Sequence, residues 1–136
     1  MRKTVALFFA LALPAHAALS RLEAISLIES GNNDRALGSA GEVSRYQLLP
    51  NVWSSYSDSH SYANPQVAGE VARQHLDHLE AWFQAHVGRA PTDFEIYVLW
   101  NAGPAYYARK SFSAGSVNRL VRERAERFVN LRGLGP

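Results

Sequence analysis

The stretch LSRLEAISLIESGNND, residues 19–34, decides the fold because it contains both a helix signal and a stop signal. Its apolar residues recur at every third position, which is the spacing of a helix face that packs on a core. That face consists of Leu19, Leu22, Ile25 and Ile28. Gly31 and the polar residues after it end the helical pattern. The spacing therefore predicts a first helix over residues 19–30, with Glu29 in its last turn.

Helical spacing continues through most of the chain, and no convincing alternation of apolar and polar residues predicts a strand. Residues 31–49 are rich in Gly, Asn and Ser and too long for an ordinary connection, and loops of this length are often functional. Further helices are predicted from Pro50, over residues 65–87, from Pro91 to the turn before Pro104, and over residues 115–131. The expected fold class is mainly α, one domain of five or six helices with a long loop.

Glu29 combines two features that favour its protonated form. It follows Leu22 by seven residues and Ile25 by four, so it shares the apolar face of its helix and should be partly desolvated. It also lies where the negative end of the helix dipole disfavours a further negative charge. Both effects raise the pKa of a carboxyl group, and an acid that keeps its proton near neutral pH suits general-acid cleavage of a glycosidic bond. The alternative is an ordinary exposed glutamate, if the helix register differs by one residue.

The N-terminus has the three parts of a secretory signal peptide. Two basic residues, an apolar run over residues 5–13 and an Ala-His-Ala sequence ending at Ala17 follow one another. We therefore expect a signal peptide over residues 1–17 and an exported domain, periplasmic or secreted, over residues 18–136. A buried N-terminal helix is the alternative. No stable membrane anchor is expected, because a spanning helix needs about 20 apolar residues.

Composition argues against several classes of function. Without the expected signal peptide the 14 basic residues fall to 12 and equal the 12 acidic ones, so a broad basic surface for nucleic acid is not expected. The chain has no cysteine and therefore no thiolate nucleophile or cysteine metal ligand. The arginines of the last predicted helix are expected to form a solvated face, with steering of anionic cell-wall polymers as the alternative: Arg119, Arg122, Arg124, Arg127 and Arg132.

His75, His78 and Glu80 lie close together in the sequence. The two histidines are three residues apart and can converge on one helix face, but a zinc site usually needs three protein ligands, and Glu80 points elsewhere. We therefore expect no metal and no cofactor, with a zinc site as the alternative.

Three segments resemble the motifs of the soluble lytic transglycosylases. ESGNNDRA, residues 29–36, is similar to the opening motif, in which a Glu-Ser pair precedes an Asn-Pro-x-Ala-like turn. AGEVSRYQLLP, residues 40–50, resembles the Ala-Gly-Ala-x-Gly-Leu-Met-Gln-x-x-Pro segment. LWNAGP, residues 99–104, resembles the Ala-Tyr-Asn-Ala-Gly-Pro motif. The spacing from Glu29 to Gln47 agrees with that of the family without a gap.

The chain also departs from this family pattern. A serine expected nine residues after the glutamate falls on Gly38, with Ser39 beside it, and Glu42 stands where the family usually has a small residue. The other departures are single replacements of a family residue by a residue of this chain: proline by Asp34, glycine by Ser44, methionine by Tyr46, tyrosine by Trp100, and a tyrosine of the groove by His75.

The resemblance implies a lysozyme-like domain with a long active-site loop and a groove that binds peptidoglycan glycan strands. It implies that Glu29 protonates the oxygen between N-acetylmuramic acid and N-acetylglucosamine, then accepts the proton of the C6 hydroxyl, so that a 1,6-anhydro ring forms. It also implies candidate substrate contacts: Ser30, Ser39, Tyr46, Gln47, His75, Trp100, Asn101, Ala102 and Gly103. A partner in an envelope or secretion assembly is compatible with an enzyme of this kind, and its identity is unknown.

Two other functions remain open. Glu42 either supplies a second carboxylate that activates water, which defines a hydrolytic muramidase, or is a solvated loop charge. The substituted groove could also hold glycan without cleaving it, as a peptidoglycan-binding module with little or no activity. A buried acid gives a binding site no advantage, which favours the enzyme. The aromatics near the motifs are either sugar platforms or core residues: Tyr62, Tyr97 and Trp100.

Overall fold

The computed structural model describes residues 18–133, so the expected signal peptide over residues 1–17 lies outside the described residues. Within residues 18–133 the chain folds into six α-helices and one short 3-10 helix. The helices are α1 (Arg21–Ser30), α2 (Pro50–Trp53), α3 (Pro65–Val87), α4 (Asp93–Ala102), α5 (Pro104–Arg109) and α6 (Arg119–Gly133), and the 3-10 helix is Ala114–Ser116. The predicted mainly α class is confirmed. Between residues 18 and 133, no helix has both the length and the apolar character that a membrane span needs.

Capping interactions set the ends of α1. The Ser20 hydroxyl accepts a hydrogen bond from the Glu23 backbone N–H, and the Glu23 carboxylate accepts one from the Ser20 N–H. This capping box starts the helix at Arg21, two residues later than predicted. Gly31 ends the helix with a φ of 63°, a left-handed conformation that glycine adopts without strain.

Near the C-terminus, the sequence analysis missed one helix, and its predicted start of the last helix is wrong. The turn at Gly103, with a φ of 87°, leads directly into α5, because Pro104 suits a first helical position. This helix has only six residues, which are too few for the spacing of apolar residues to predict it. The last helix begins at Arg119 and not at residue 115, since residues 114–116 form the separate 3-10 helix.

Residues 31–49, predicted as one long loop, form a folded segment that we call the loop segment. Its chain doubles back through two isolated antiparallel bridges, Leu37 with Val43 and Val43 with Leu48. Arg45 Nε donates a hydrogen bond to the Asp34 carboxylate at 2.6 Å. The segment therefore has a defined shape beside the end of α1.

The α4 helix is the most buried helix of the core. It packs against α3, α5 and α6, and all six residues from 95 to 100 are buried. The ring of Tyr97 stacks on the ring of Phe128 from α6, with 5.2 Å between centroids. Because α1 packs on α6 and α3, the end of α1 is held close to the middle of α4.

Asp93, the first residue of α4, joins three helix ends. Its carboxylate accepts hydrogen bonds from Arg21 Nε at 2.9 Å and from Arg132 Nε at 3.2 Å. Arg132 also donates to the backbone carbonyl of Leu19. The expectation of a solvated arginine face is therefore wrong for Arg132, which ties α6 to α1 and α4.

Candidate active site

A cleft of about 450 Å³ lies between the C-terminal ends of α1 and α4, the loop segment, α3 and α6. Each of these elements contributes side chains to its lining. The structure brings together eight of the ten residues that the sequence singled out as site residues: Glu29, Ser39, Gln47, His75, Trp100, Asn101, Ala102 and Gly103. Glu42 and Arg124 line the same cleft.

Ser30 and Tyr46 do not line this cleft. The Ser30 hydroxyl donates to the carbonyl oxygen of Arg45 at 2.8 Å and accepts from the Asn33 N–H at 3.1 Å. Tyr46 is buried, and its carbonyl oxygen accepts a hydrogen bond from Trp100 Nε1 at 3.3 Å. The Ser30 hydroxyl and the Tyr46 backbone therefore fasten the loop segment to α1 and α4.

The Glu29 side chain lies in the cleft, partly buried, and not on the open surface. The Tyr97 hydroxyl donates a hydrogen bond to Glu29 Oε1 at 2.5 Å. Tyr97 comes from the middle of α4 and has no exposed surface, so the position of its hydroxyl is fixed by the core. This hydrogen bond comes from the core side of Glu29 and orients the carboxyl group toward the cleft.

The environment of Glu29 favours a protonated carboxyl group. Burial raises the pKa of Glu29 above its ordinary value and is the largest effect, and the negative charge of Glu42 adds to it. The hydrogen bond from Tyr97 and the positive charge of Arg124 lower the pKa but do not outweigh burial. Burial, followed by the charge of Glu29, raises the pKa of Tyr97 far above its ordinary value, so Tyr97 keeps its proton and remains the donor.

Removal of the Tyr97 hydroxyl tests this environment. In Tyr97→Phe the pKa of Glu29 is expected to rise further, because the hydrogen bond that stabilises the ionised carboxylate is gone. A carbon-detected NMR titration of the Glu29 carboxyl group measures the shift. Tyr107→Phe is the matched control, since the buried Tyr107 hydroxyl has no hydrogen-bond partner among the described residues. A Glu29 pKa that is unchanged or lower in Tyr97→Phe contradicts the assignment.

Arg124 is the lining residue that the sequence interpretation placed wrongly, on a solvated face. It follows Val121 by three residues and precedes Phe128 by four, and both of these are buried. That spacing puts Arg124 beside the inward face of α6, and it is the sequence feature from which the position of Arg124 in the cleft could have been predicted. Its positive charge acts on both Glu29 and Tyr97.

His75 and Trp100 form another wall of the cleft, with their ring centroids 5.0 Å apart. His75 Nδ1 makes a hydrogen bond with the Tyr56 hydroxyl at 3.0 Å. Burial, with a smaller effect of His78, lowers the pKa of His75 to about 4, so the imidazole is neutral near neutral pH. Glu80 accepts a hydrogen bond from Arg21 at 2.5 Å and has different neighbours from His75. Among residues 18–133, no three or more side chains of metal-ligand type come together.

Tyr62, Tyr97 and Trp100, which the sequence left as either sugar platforms or core residues, occupy different places in the structure. Tyr97 is a core residue, stacked on Phe128. Tyr62 packs with its edge against Trp53, with 4.9 Å between centroids, and lies away from the cleft. Of these three residues only Trp100 borders the cleft, although it is largely buried, with only 9% of its surface exposed.

Comparison with family models, with curated proteins and with solved structures found no match for the chain. The functional assignment therefore depends on the geometry of the cleft and on the three sequence segments that border it.

Proposed function

We propose that the protein is an enzyme that cleaves glycan strands, with Glu29 as its general acid and base. More particularly, it is a peptidoglycan lytic transglycosylase, which breaks the β-1,4 bond from N-acetylmuramic acid to N-acetylglucosamine. The observation that carries the proposal is a carboxyl group with a raised pKa in a cleft bordered by all three resembling segments. A lysozyme-like arrangement of the helices is part of the same proposal.

The cleft supplies what such a reaction needs from the protein. A protonated Glu29 donates its proton to the glycosidic oxygen, while the acetamido group of the substrate takes the place of a second carboxylate at C1. The Glu29 carboxylate then accepts the proton of the C6 hydroxyl, which closes the 1,6-anhydro ring. Tyr97 favours this second state, because its hydroxyl stabilises the carboxylate. One residue therefore serves as acid and as base.

The backbone at Ser44 supports the resemblance on which this proposal depends. Ser44 stands where the family has a glycine, and its φ is 65°, in the left-handed region that favours glycine. Gln47 of the same segment has a φ of 51° and lines the cleft. The unusual backbone turn therefore falls at the position where the motif calls for glycine, although the side chain differs.

Asn101, Ala102 and Gly103 line the cleft at the end of α4. The end of a helix leaves backbone carbonyls without partners in the helix, and these can accept hydrogen bonds from sugar hydroxyls. Together with the Asn101 amide, this end of α4 provides polar groups in the same cleft as Glu29 and Gln47. These polar groups support the proposed ligand, an alternating amino-sugar polymer.

The test is a digest of isolated cell-wall sacculi with the purified domain, residues 18–136. We expect soluble muropeptides, detected by mass spectrometry, with 1,6-anhydro ends among them. Binding to sacculi with no soluble product would instead support the peptidoglycan-binding module. The exported location and an envelope partner are proposals that follow from this substrate, since peptidoglycan lies outside the cytoplasmic membrane.

A further inference from the structure

Within the described part of the chain, Arg124 is the only lysine or arginine that lines the cleft. His75 lines the cleft as well, but its lowered pKa of about 4 leaves it uncharged near neutral pH. Arg124 is partly buried, and its charge acts on both Glu29 and Tyr97. The cleft therefore contains one permanent positive charge, close to the proposed acid.

Arg124 has no carboxylate partner among residues 18–133. The other partly buried arginines all donate to acceptors that the fold supplies, either carboxylates or backbone carbonyls: Arg21, Arg45, Arg122 and Arg132. A guanidinium group is always charged and can only donate, so a partly buried one needs acceptors. The Tyr97 hydroxyl is neutral and donates its proton to Glu29, so it does not balance the charge of Arg124. The missing partner is therefore a group that enters the cleft.

The two carboxyl groups of the cleft are held by other donors. Glu29 Oε1 accepts a hydrogen bond from the Tyr97 hydroxyl at 2.5 Å, and Glu42 Oε2 accepts one from the Ala40 N–H at 2.9 Å. Neither carboxyl group lies within 4.0 Å of an Arg124 nitrogen. A guanidinium group can bind a carboxylate through two parallel hydrogen bonds. A carboxylate on the ligand is therefore the group that matches Arg124.

We propose that Arg124 forms a carboxylate subsite in the cleft, which recognises the acidic substituent that N-acetylmuramic acid carries and N-acetylglucosamine lacks. The inference rests on the proposed function, because it takes the cleft to be a glycan site. On a strand without stem peptides, the acidic group is the lactyl carboxylate of the sugar itself. On an intact strand the lactyl group is part of an amide, and the stem peptide supplies the carboxylate. Arg124 is then a specificity residue that selects against neutral polymers of N-acetylglucosamine.

The test measures binding by the Glu29→Gln protein, which serves as the reference because the proposed acid is absent and the glycan stays intact. Isothermal titration calorimetry compares three soluble tetrasaccharides. The first is neutral and contains only N-acetylglucosamine, and the second alternates N-acetylglucosamine with N-acetylmuramic acid that has free lactyl carboxylates. The third is the same alternating tetrasaccharide with stem peptides. We expect the reference to bind at least one acidic fragment more tightly than the neutral one.

Adding Arg124→Gln to the reference should weaken the binding of that acidic fragment about tenfold or more, because a charge-assisted hydrogen bond is lost. The affinity for the neutral tetrasaccharide should change by less than about twofold, since it has no carboxylate for Arg124 to bind. Loss of affinity for the fragment without peptides identifies the lactyl carboxylate as the ligand. Loss confined to the fragment with peptides identifies a carboxylate of the stem peptide.

Arg127→Gln is the matched control. Arg127 lies three residues further along α6 and is exposed, and it does not line the cleft. The control removes the same charge from the same helix, so it should leave the affinities for the acidic and the neutral fragments unchanged. Circular dichroism shows whether each variant is folded.

Three results overturn the inference. The reference binds none of the fragments, or folded Arg124→Gln keeps the preference of the reference for the acidic fragment, or Arg127→Gln loses as much affinity as Arg124→Gln. The last result would mean a general attraction to the arginines of α6 in place of a subsite. The sacculus digest decides the proposed function separately. Fragment release with any of these three results leaves that function standing, whereas binding that depends on Arg124 without release leaves an acidic-glycan-binding module.

Discussion

Glu29→Gln is expected to lower the initial rate of fragment release from sacculi by about 10²–10⁴-fold, the usual contribution of a general acid. The amide has nearly the same shape and can still accept the hydrogen bond from Tyr97, but it cannot donate a proton as an acid. Release is followed as soluble muropeptide per unit time. Glu70→Gln, on an exposed face of α3, is expected to retain the parent rate. Equal rates for Glu29→Gln and the parent would remove Glu29 from the mechanism.

The same variant tests the raised pKa without any substrate. The ordinary pKa of glutamate is about 4.3, and the folded chain raises the pKa of Glu29 above it. At pH values between the ordinary and the raised pKa, the native state therefore binds more protons than the unfolded state. The free energy of unfolding should therefore fall as pH rises through that window. Glu29→Gln has no such group and should be more stable than the parent at neutral pH. The advantage should vanish below the ordinary pKa, as measured by urea unfolding at both pH values.

Phe128→Ala is expected to lower the free energy of unfolding by about 3–5 kcal/mol, the usual cost of replacing a buried phenylalanine by alanine. Phe128 has no exposed surface, and its ring stacks on Tyr97. Truncation leaves a cavity behind the phenol that orients Glu29, so the rate of release should fall as well. Urea unfolding measures the stability, and the sacculus assay at a temperature where the variant is folded measures the rate.

Val129→Ala is the matched control for this prediction. Val129 is the next residue on α6, but 38% of its surface is exposed. Changes at exposed positions usually stay within about 0.5 kcal/mol. If Phe128→Ala and Val129→Ala cost the same, the stack with Tyr97 does not hold the core of the site together.

Local signals in the sequence were sufficient for the position of Glu29. The apolar spacing before it and Gly31 after it act within a few residues, so the end of α1 follows from the sequence. The same holds for Gly88 at the end of α3. Such signals depend on backbone geometry that is determined by residues close together in the sequence, and tertiary contacts do not override them here.

The parts of the site that depend on distant contacts could not be predicted in this way. Whether Tyr97 is a core or a groove aromatic stays open until α1 and α4 are placed side by side. The burial of Tyr46 depends on how the loop segment folds against the neighbouring helices. The Glu42 carboxylate lies so close to Gly38 that a Cβ atom there would be 2.0 Å from it, and this approach depends on how the loop segment folds, which spacing along a chain does not give.

The contact from Tyr97 to Glu29 joins residues that are 68 positions apart. Before α1 and α4 come together, Glu29 is an ordinary carboxylate in water, with neither burial nor a phenol to shape its acidity. The raised pKa of Glu29 therefore exists only in the folded chain. If Glu29 is the general acid that we propose, an unfolded chain carries only an ordinary carboxylate at this position and becomes active when it folds.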